Sequence, residues 1–153
     1  MTETARVLLT TGILSAVGLA IFVWRLARPG RAGHEYLIDQ LRLSQWAAVL
    51  LAGAGAASVG LAVANAAAPG AFVEVSAGVV TMAASLVVLR REPPEALLVA
   101  GILFLLHAVF DWAHRPAVLT AEFVPHWWAM GTTFFDVHIA ALCFLARRAG
   151  GAR

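Results

Sequence analysis

Five long apolar runs dominate this chain, and they constrain its fold more than any other feature. Each run approaches the roughly 20 apolar residues that a helix needs to cross the hydrocarbon core of a bilayer. The sequence therefore predicts five membrane spans. They cover approximately residues 7–24, 46–66, 72–89, 96–112 and 128–145.

The segments between these runs are rich in residues that end helices. Proline, glycine or arginine occupies every break, at 28–30, 69–70, 90–94, 115–116 and Pro125. The runs show no alternation of period two, which argues against strands. A backbone in lipid must satisfy its own hydrogen bonds. We therefore predict an all-α, polytopic transmembrane bundle that forms a single domain over residues 1–153.

The composition agrees with a membrane protein and excludes several other classes. Hydrophobic residues make up 61% of the chain and charged residues only 13%, against about 25% charged residues in soluble domains. A soluble monomer, a disordered tail and a nucleic-acid-binding module are thereby excluded. The chain has no lysine, which excludes Schiff-base chemistry. Its single cysteine, Cys143, excludes an internal disulfide and a cysteine-rich metal site.

The arginines predict the orientation of the spans. Positive residues accumulate in cytoplasmic segments, and nine of the eleven arginines fall on one side of the five spans. These nine are Arg25, Arg28, Arg31, Arg42, Arg90, Arg91, Arg147, Arg148 and Arg153, whereas Arg6 and Arg115 fall on the other side. We expect the N-terminus outside and the C-terminus in the cytoplasm of a bacterial-type inner (cytoplasmic) membrane, which the chain crosses several times.

The segment from His34 to Ser44 precedes the second span and has two interpretations. Leu37 and Leu41 could face lipid while Asp39 faces water, as in an interfacial helix. The alternative is a plain cytoplasmic loop.

Ionisable residues concentrate in the fourth and fifth spans, where burial in lipid makes them costly. His107, Asp111 and His114 are spaced i, i+4 and i+7, so they share one helical face. In the fifth span, Asp136 and His138 are two residues apart, which is about 200° around a helix. They cannot both point at one site without help from a third helix. We expect the fourth and fifth spans to be antiparallel neighbours, so that His107 and Asp136 meet near mid-membrane.

Several of these residues also have purely structural interpretations. Asp111 could form an ion pair with Arg115, four residues later. His114 could simply lie at the interface. Glu74, one turn into the third span, is either an interfacial carboxylate at a helix N-terminus or an acid–base partner of the site. His107 with Asp136 could be a buried pair that only fixes helix packing.

Imidazole and carboxylate side chains in this pattern are suited to binding a metal ion. The predicted ligands are His107, Asp111, His114, Asp136 and His138, and the ion would be zinc, iron or copper. A b-type haem between His107 and His138 is an alternative cofactor. Other hypotheses are a proton or ion relay and a non-catalytic accessory subunit of a larger membrane complex. The expected partners are the lipid bilayer and either such a complex or further copies of this chain. The sequence assigns no catalytic residue and leaves open whether the protein is an enzyme.

Overall fold

The computed structural model describes residues 3–26, 34–114 and 123–151, and these residues form five helices and no strands. The helices are α1 (Glu3–Leu26), α2 (His34–Ala64), α3 (Ala71–Leu89), α4 (Pro93–Trp112) and α5 (His126–Gly151). All five are long and apolar enough to cross a membrane. The all-helical fold class and the number of candidate spans are confirmed.

Local sequence explains where the central helices begin. Gly70 has a positive φ of 88° and occupies the position before α3, a conformation that glycine adopts without steric cost. Helix α4 begins with Pro93 and Pro94. Proline is favoured in the first turn because the amide hydrogens there have no partner within the helix.

The first eleven residues of helix α2 have a different structure from the one that the sequence predicts. The segment from His34 to Ser44 is neither a separate interfacial helix nor a loop, because it continues without a break into the second span. The helix has 31 residues, a length of about 46 Å at 1.5 Å per residue. Asp39, which we expected to face water, is buried. The start of α2 packs against α5, because the Tyr36 hydroxyl donates a hydrogen bond of 2.8 Å to the carbonyl of Ala146 near the end of α5.

The outward faces of the helices are apolar. Each helix carries at least one large apolar side chain that is 62–69% exposed, and examples from α1 to α5 are Leu14, Val63, Val80, Leu106 and Phe134. A soluble monomer rarely exposes apolar surface on this scale. The arrangement is therefore compatible with a multi-pass membrane protein.

Glycines allow close approach at two helix contacts that position the polar residues. Gly55 of α2 and Gly78 of α3 face each other, and a Cβ atom on either would lie 2.5 Å from the carbonyl oxygen of the other. The ring of Phe144 on α5 lies against Gly101 of α4. Helix α4 contacts α2, α3 and α5, so its inward face meets residues from three neighbours.

Candidate metal centre

Five ionisable side chains are buried together at one end of the bundle. They lie in the first turn of α3, in the last part of α4, two residues after the end of α4, and in the first half of α5. The five are Glu74, His107, Asp111, His114 and Asp136, and they are between 1% and 9% exposed. At this end α3 and α5 begin and α4 ends.

The periodicity of α4 explains why its polar residues point inward. Ala100, Phe104, His107, Ala108 and Asp111 are all buried, at spacings of three and four residues. The i, i+4, i+7 face predicted from the sequence is therefore the face that packs against α3 and α5.

His107 lies between two carboxyl groups. Its Nδ1 is 2.6 Å from Oδ2 of Asp136 and 3.5 Å from Oδ2 of Asp111. The ligand atoms of the three residues all lie within 4.8 Å of one another. A carboxylate can only accept a hydrogen bond. Without a metal ion, Nδ1 therefore carries the proton and donates it towards Asp136.

One carboxylate oxygen in this group lacks a partner. Oδ2 of Asp111 is buried and makes no hydrogen bond with any described residue, although the Thr132 hydroxyl lies close to this carboxyl group. Leaving a buried acceptor unsatisfied costs about 1–3 kcal/mol, and more for a charged group. An oxygen in this situation indicates that something other than these side chains compensates it, such as an ion or a water molecule.

His114 and Glu74 form a second pair next to this group. Nδ1 of His114 is 3.0 Å from the carbonyl oxygen of Phe110, so this nitrogen must be the donor. Nε2 of His114 contacts a carboxylate oxygen of Glu74. Burial lowers the pKa of His114, but the hydrogen bond and negative charge of Glu74 outweigh burial, and the pKa is raised above its usual value.

The structure brings together some of the sequence-predicted ligands and separates others. His107, Asp111 and Asp136 form one group that could hold a metal ion. His114 is paired with Glu74 instead. His138 is exposed on the other side of α5, as its angular separation from Asp136 requires. A haem held between His107 and His138 therefore finds no support in this geometry. Arg115 lies outside the described residues, so its pairing with Asp111 stays a prediction.

The contact between Glu74 and His114 was not predicted from the sequence. One signal for it was present, because only three residues separate α3 from α4, and helices joined by so short a link are antiparallel neighbours. Glu74 lies in the first turn of α3 and His114 lies just beyond the end of α4. The two residues therefore belong to the same end of this helix pair.

Charge compensation within the cluster has few sources. The buried polar residues of the described chain include no arginine, and the sequence contains no lysine. Among the described residues, the groups that can compensate the three buried carboxylates are the two imidazoles, apart from protons or a bound cation. One nitrogen and two carboxylate oxygens form a ligand set typical of divalent transition metals.

Comparisons of this chain with protein-family models, with curated proteins and with solved structures found no match.

Proposed function

We propose that this protein is an integral membrane protein of five helices with a divalent transition-metal site formed by His107 and Asp111 of α4 and Asp136 of α5. The observation that carries the proposal is the buried Oδ2 of Asp111, which has no hydrogen-bond partner among the described residues and has only an ion-pair contact of 3.5 Å with His107 Nδ1. A cation held by the three ligand atoms would satisfy this oxygen and neutralise both carboxylates.

Membrane insertion is supported by the length and apolar surface of the helices. We propose the orientation indicated by the arginines, with the N-terminus outside a cytoplasmic membrane of the bacterial type. In that orientation the polar cluster lies in the outer half of the bundle. Ala67 in the α2–α3 connection and Glu92 in the α3–α4 connection would then lie on opposite sides of the membrane.

Cysteine labelling in intact cells tests this orientation. In a Cys143→Ala background, we expect Ala67→Cys to react with a membrane-impermeant maleimide and Glu92→Cys to react only after lysis. The reverse pattern would overturn the orientation, and equal labelling of both variants before lysis would overturn the membrane-spanning arrangement.

The ligand types narrow the choice of metal. Imidazole with carboxylates is suited to zinc, iron and manganese, whereas Cu(I) prefers sulfur ligands. Cys143 lies seven residues, about 10 Å along α5, from Asp136, outside the group of three ligands. We therefore propose Zn²⁺ or Fe²⁺, with Mn²⁺ as a related ion. Three protein ligands leave coordination positions open for water or a substrate.

Binding of Co²⁺ to the full-length protein in detergent tests the site, because Co²⁺ reports a mixed nitrogen and oxygen environment by its visible absorption. We expect the ion held by the three residues to be lost in Asp136→Asn and in His107→Gln. His138→Gln is the matched control, since it removes an exposed histidine from the same helix as Asp136 and should bind as the wild type does. Wild-type protein that binds no more Co²⁺, Zn²⁺ or Mn²⁺ than Asp136→Asn would overturn the proposal.

A binding site fits the described residues better than a relay across the whole membrane. A relay requires ionisable groups at successive depths. Towards the opposite end, the buried ionisable groups that the structure describes are Tyr36, Asp39 and Cys143. Asp39 has Arg42 as an ion-pair partner at 3.7 Å. An accessory-subunit role predicts that larger partners co-purify with the protein, and the same preparations test it.

A further inference from the structure

The pair formed by Glu74 and His114 adjoins the group of three ligands. We propose that these two residues form a second metal position, which shares the Asp111 carboxylate with the first, so that the cluster is a carboxylate-bridged centre for two divalent transition-metal ions. This inference rests on the proposed function and assigns the second position to Nε2 of His114 and the carboxylate of Glu74. The first position keeps His107 and Asp136 as its own ligands.

The orientation of His114 is the first support. A histidine that binds a metal through one ring nitrogen usually donates the other N–H to a carbonyl or a carboxylate. His114 has this arrangement, with Nδ1 donating to the Phe110 carbonyl at 3.0 Å. Its Nε2 is thereby directed at the Glu74 carboxylate. In the neutral ring Nε2 carries a lone pair, which a carboxylate oxygen would repel unless a proton or a metal ion lies between them.

The position of Asp111 is the second support. It lies four residues after His107 and three before His114 on the inward face of α4. Its carboxyl group interacts electrostatically with both imidazoles and with Glu74. Its unpartnered oxygen is buried, and a carboxylate has two oxygens that can bind two ions. Asp111 thus lies between the two histidines along α4 and belongs to the first group of ligands, and we assign the shared role to it.

The charges of the cluster can accommodate two cations. With neutral imidazoles and ionised carboxylates, Glu74, Asp111 and Asp136 give the cluster a charge of minus three. One divalent cation leaves a charge of minus one, which either a proton between Glu74 and His114 or a second cation would compensate. Two divalent cations exceed the carboxylate charge by one, and a single hydroxide bound between them would cancel that excess. Two-metal sites with ions about 3.5–4 Å apart commonly have such an arrangement.

Metal stoichiometry tests the inference on the full-length protein in detergent. We expect wild-type protein to bind two equivalents of Co²⁺ and both Glu74→Gln and His114→Gln to bind one. The equivalent that remains in these variants should be lost when Asp136→Asn is added. Glu95→Gln is the control for an acid-to-amide change, because Glu95 is half-exposed and paired with Arg91 on the surface of α4. It should still bind two equivalents.

The outcomes separate this inference from the proposed function. One equivalent in the wild type, lost in Asp136→Asn and unchanged in Glu74→Gln, would overturn the second position and retain the first. Two equivalents in both Glu74→Gln and His114→Gln would also overturn it. No binding in the wild type would overturn both proposals.

A spectroscopic measurement on the wild type does not depend on the folding of any variant. Two Mn²⁺ ions that share a carboxylate are exchange-coupled, and their electron paramagnetic resonance spectrum differs from that of isolated Mn²⁺. We expect a coupled spectrum at two equivalents. The spectrum of isolated ions at that loading would overturn the shared role of Asp111.

Discussion

The contact between Gly55 and Gly78 provides the sharpest test of how the bundle is held together. A Cβ atom at position 55 would lie 2.5 Å from the Gly78 carbonyl oxygen and 2.9 Å from Cγ of Met82. Ordinary van der Waals contact begins at 3.4 Å. Gly55→Ala therefore requires α2 and α3 to move apart by about 0.9 Å, because a backbone carbonyl cannot rotate away as a flexible side chain can.

Two opposing effects determine the magnitude. Replacing glycine by alanine within a helix stabilises it by up to about 1 kcal/mol. Overpacking a close contact costs about 1–3 kcal/mol. Gly60 lies on the same helix, and a Cβ atom there would meet nothing within 4 Å. Gly60→Ala therefore gains the helix stabilisation alone. The difference in stability between Gly55→Ala and Gly60→Ala isolates the cost of overpacking.

We expect Gly55→Ala to be about 1–3 kcal/mol less stable than Gly60→Ala. In a chain of this length that difference corresponds to a lower Tm by several degrees, at about 2–4 °C per kcal/mol. The assay is loss of helical circular dichroism on heating both variants in the same detergent. Equal Tm values for the two variants would refute the close approach of α2 and α3.

Three further predictions concern other contacts. Tyr36→Phe removes the hydroxyl that donates to the Ala146 carbonyl and accepts from Gln40, so we expect a loss of about 1 kcal/mol in a denaturant titration. Gln40 also donates to this carbonyl, so unchanged stability would contradict the contribution of the Tyr36 hydroxyl alone. Because Glu74 raises the pKa of His114, the metal-free protein should be stabilised by this pair at low pH and lose that contribution as the pH rises through the raised pKa. The pH dependence of Tm should be weaker in His114→Gln, and an unchanged profile would contradict the pairing. Gly78→Ala should displace α3, which also carries Glu74, and so weaken binding of the second Co²⁺ ion more than the first; equal weakening of both would argue against separate positions.

Much of the fold follows from local sequence. The five apolar runs predicted the five helices, since length and hydrophobicity alone determine which segments can cross a bilayer. The breaks at Pro69-Gly70 and before Pro93 correspond to observed helix boundaries. The helical period also predicted correctly that His107 and Asp111 share a face and that Asp136 and His138 do not.

Other features of the candidate site depended on which helices are neighbours. His107 and Asp136 were expected to meet because a short loop joins their spans. Glu74 was instead interpreted as an interfacial carboxylate or a possible acid–base group, and its contact with His114 was not predicted. The continuation of α2 back to His34 was also missed. The polar residues there resemble those of a cytoplasmic segment, and the hydrogen bond from Tyr36 to α5 exists only in the folded bundle.

The sequence by itself determined the number of helices, most of their approximate ends and the angular positions of the polar residues along each helix, because these properties arise from neighbours along the chain. Only the tertiary structure decided that Glu74 meets His114, that α2 begins at His34, and that Oδ2 of Asp111 has no hydrogen-bond partner among the described residues. The physical reason is that the inward and outward faces of these helices are both apolar, so hydrophobicity does not indicate how each helix is rotated. Rotation and depth are set by steric contacts such as Gly55 with Gly78 and Gly101 with Phe144, which form only when the helices pack together.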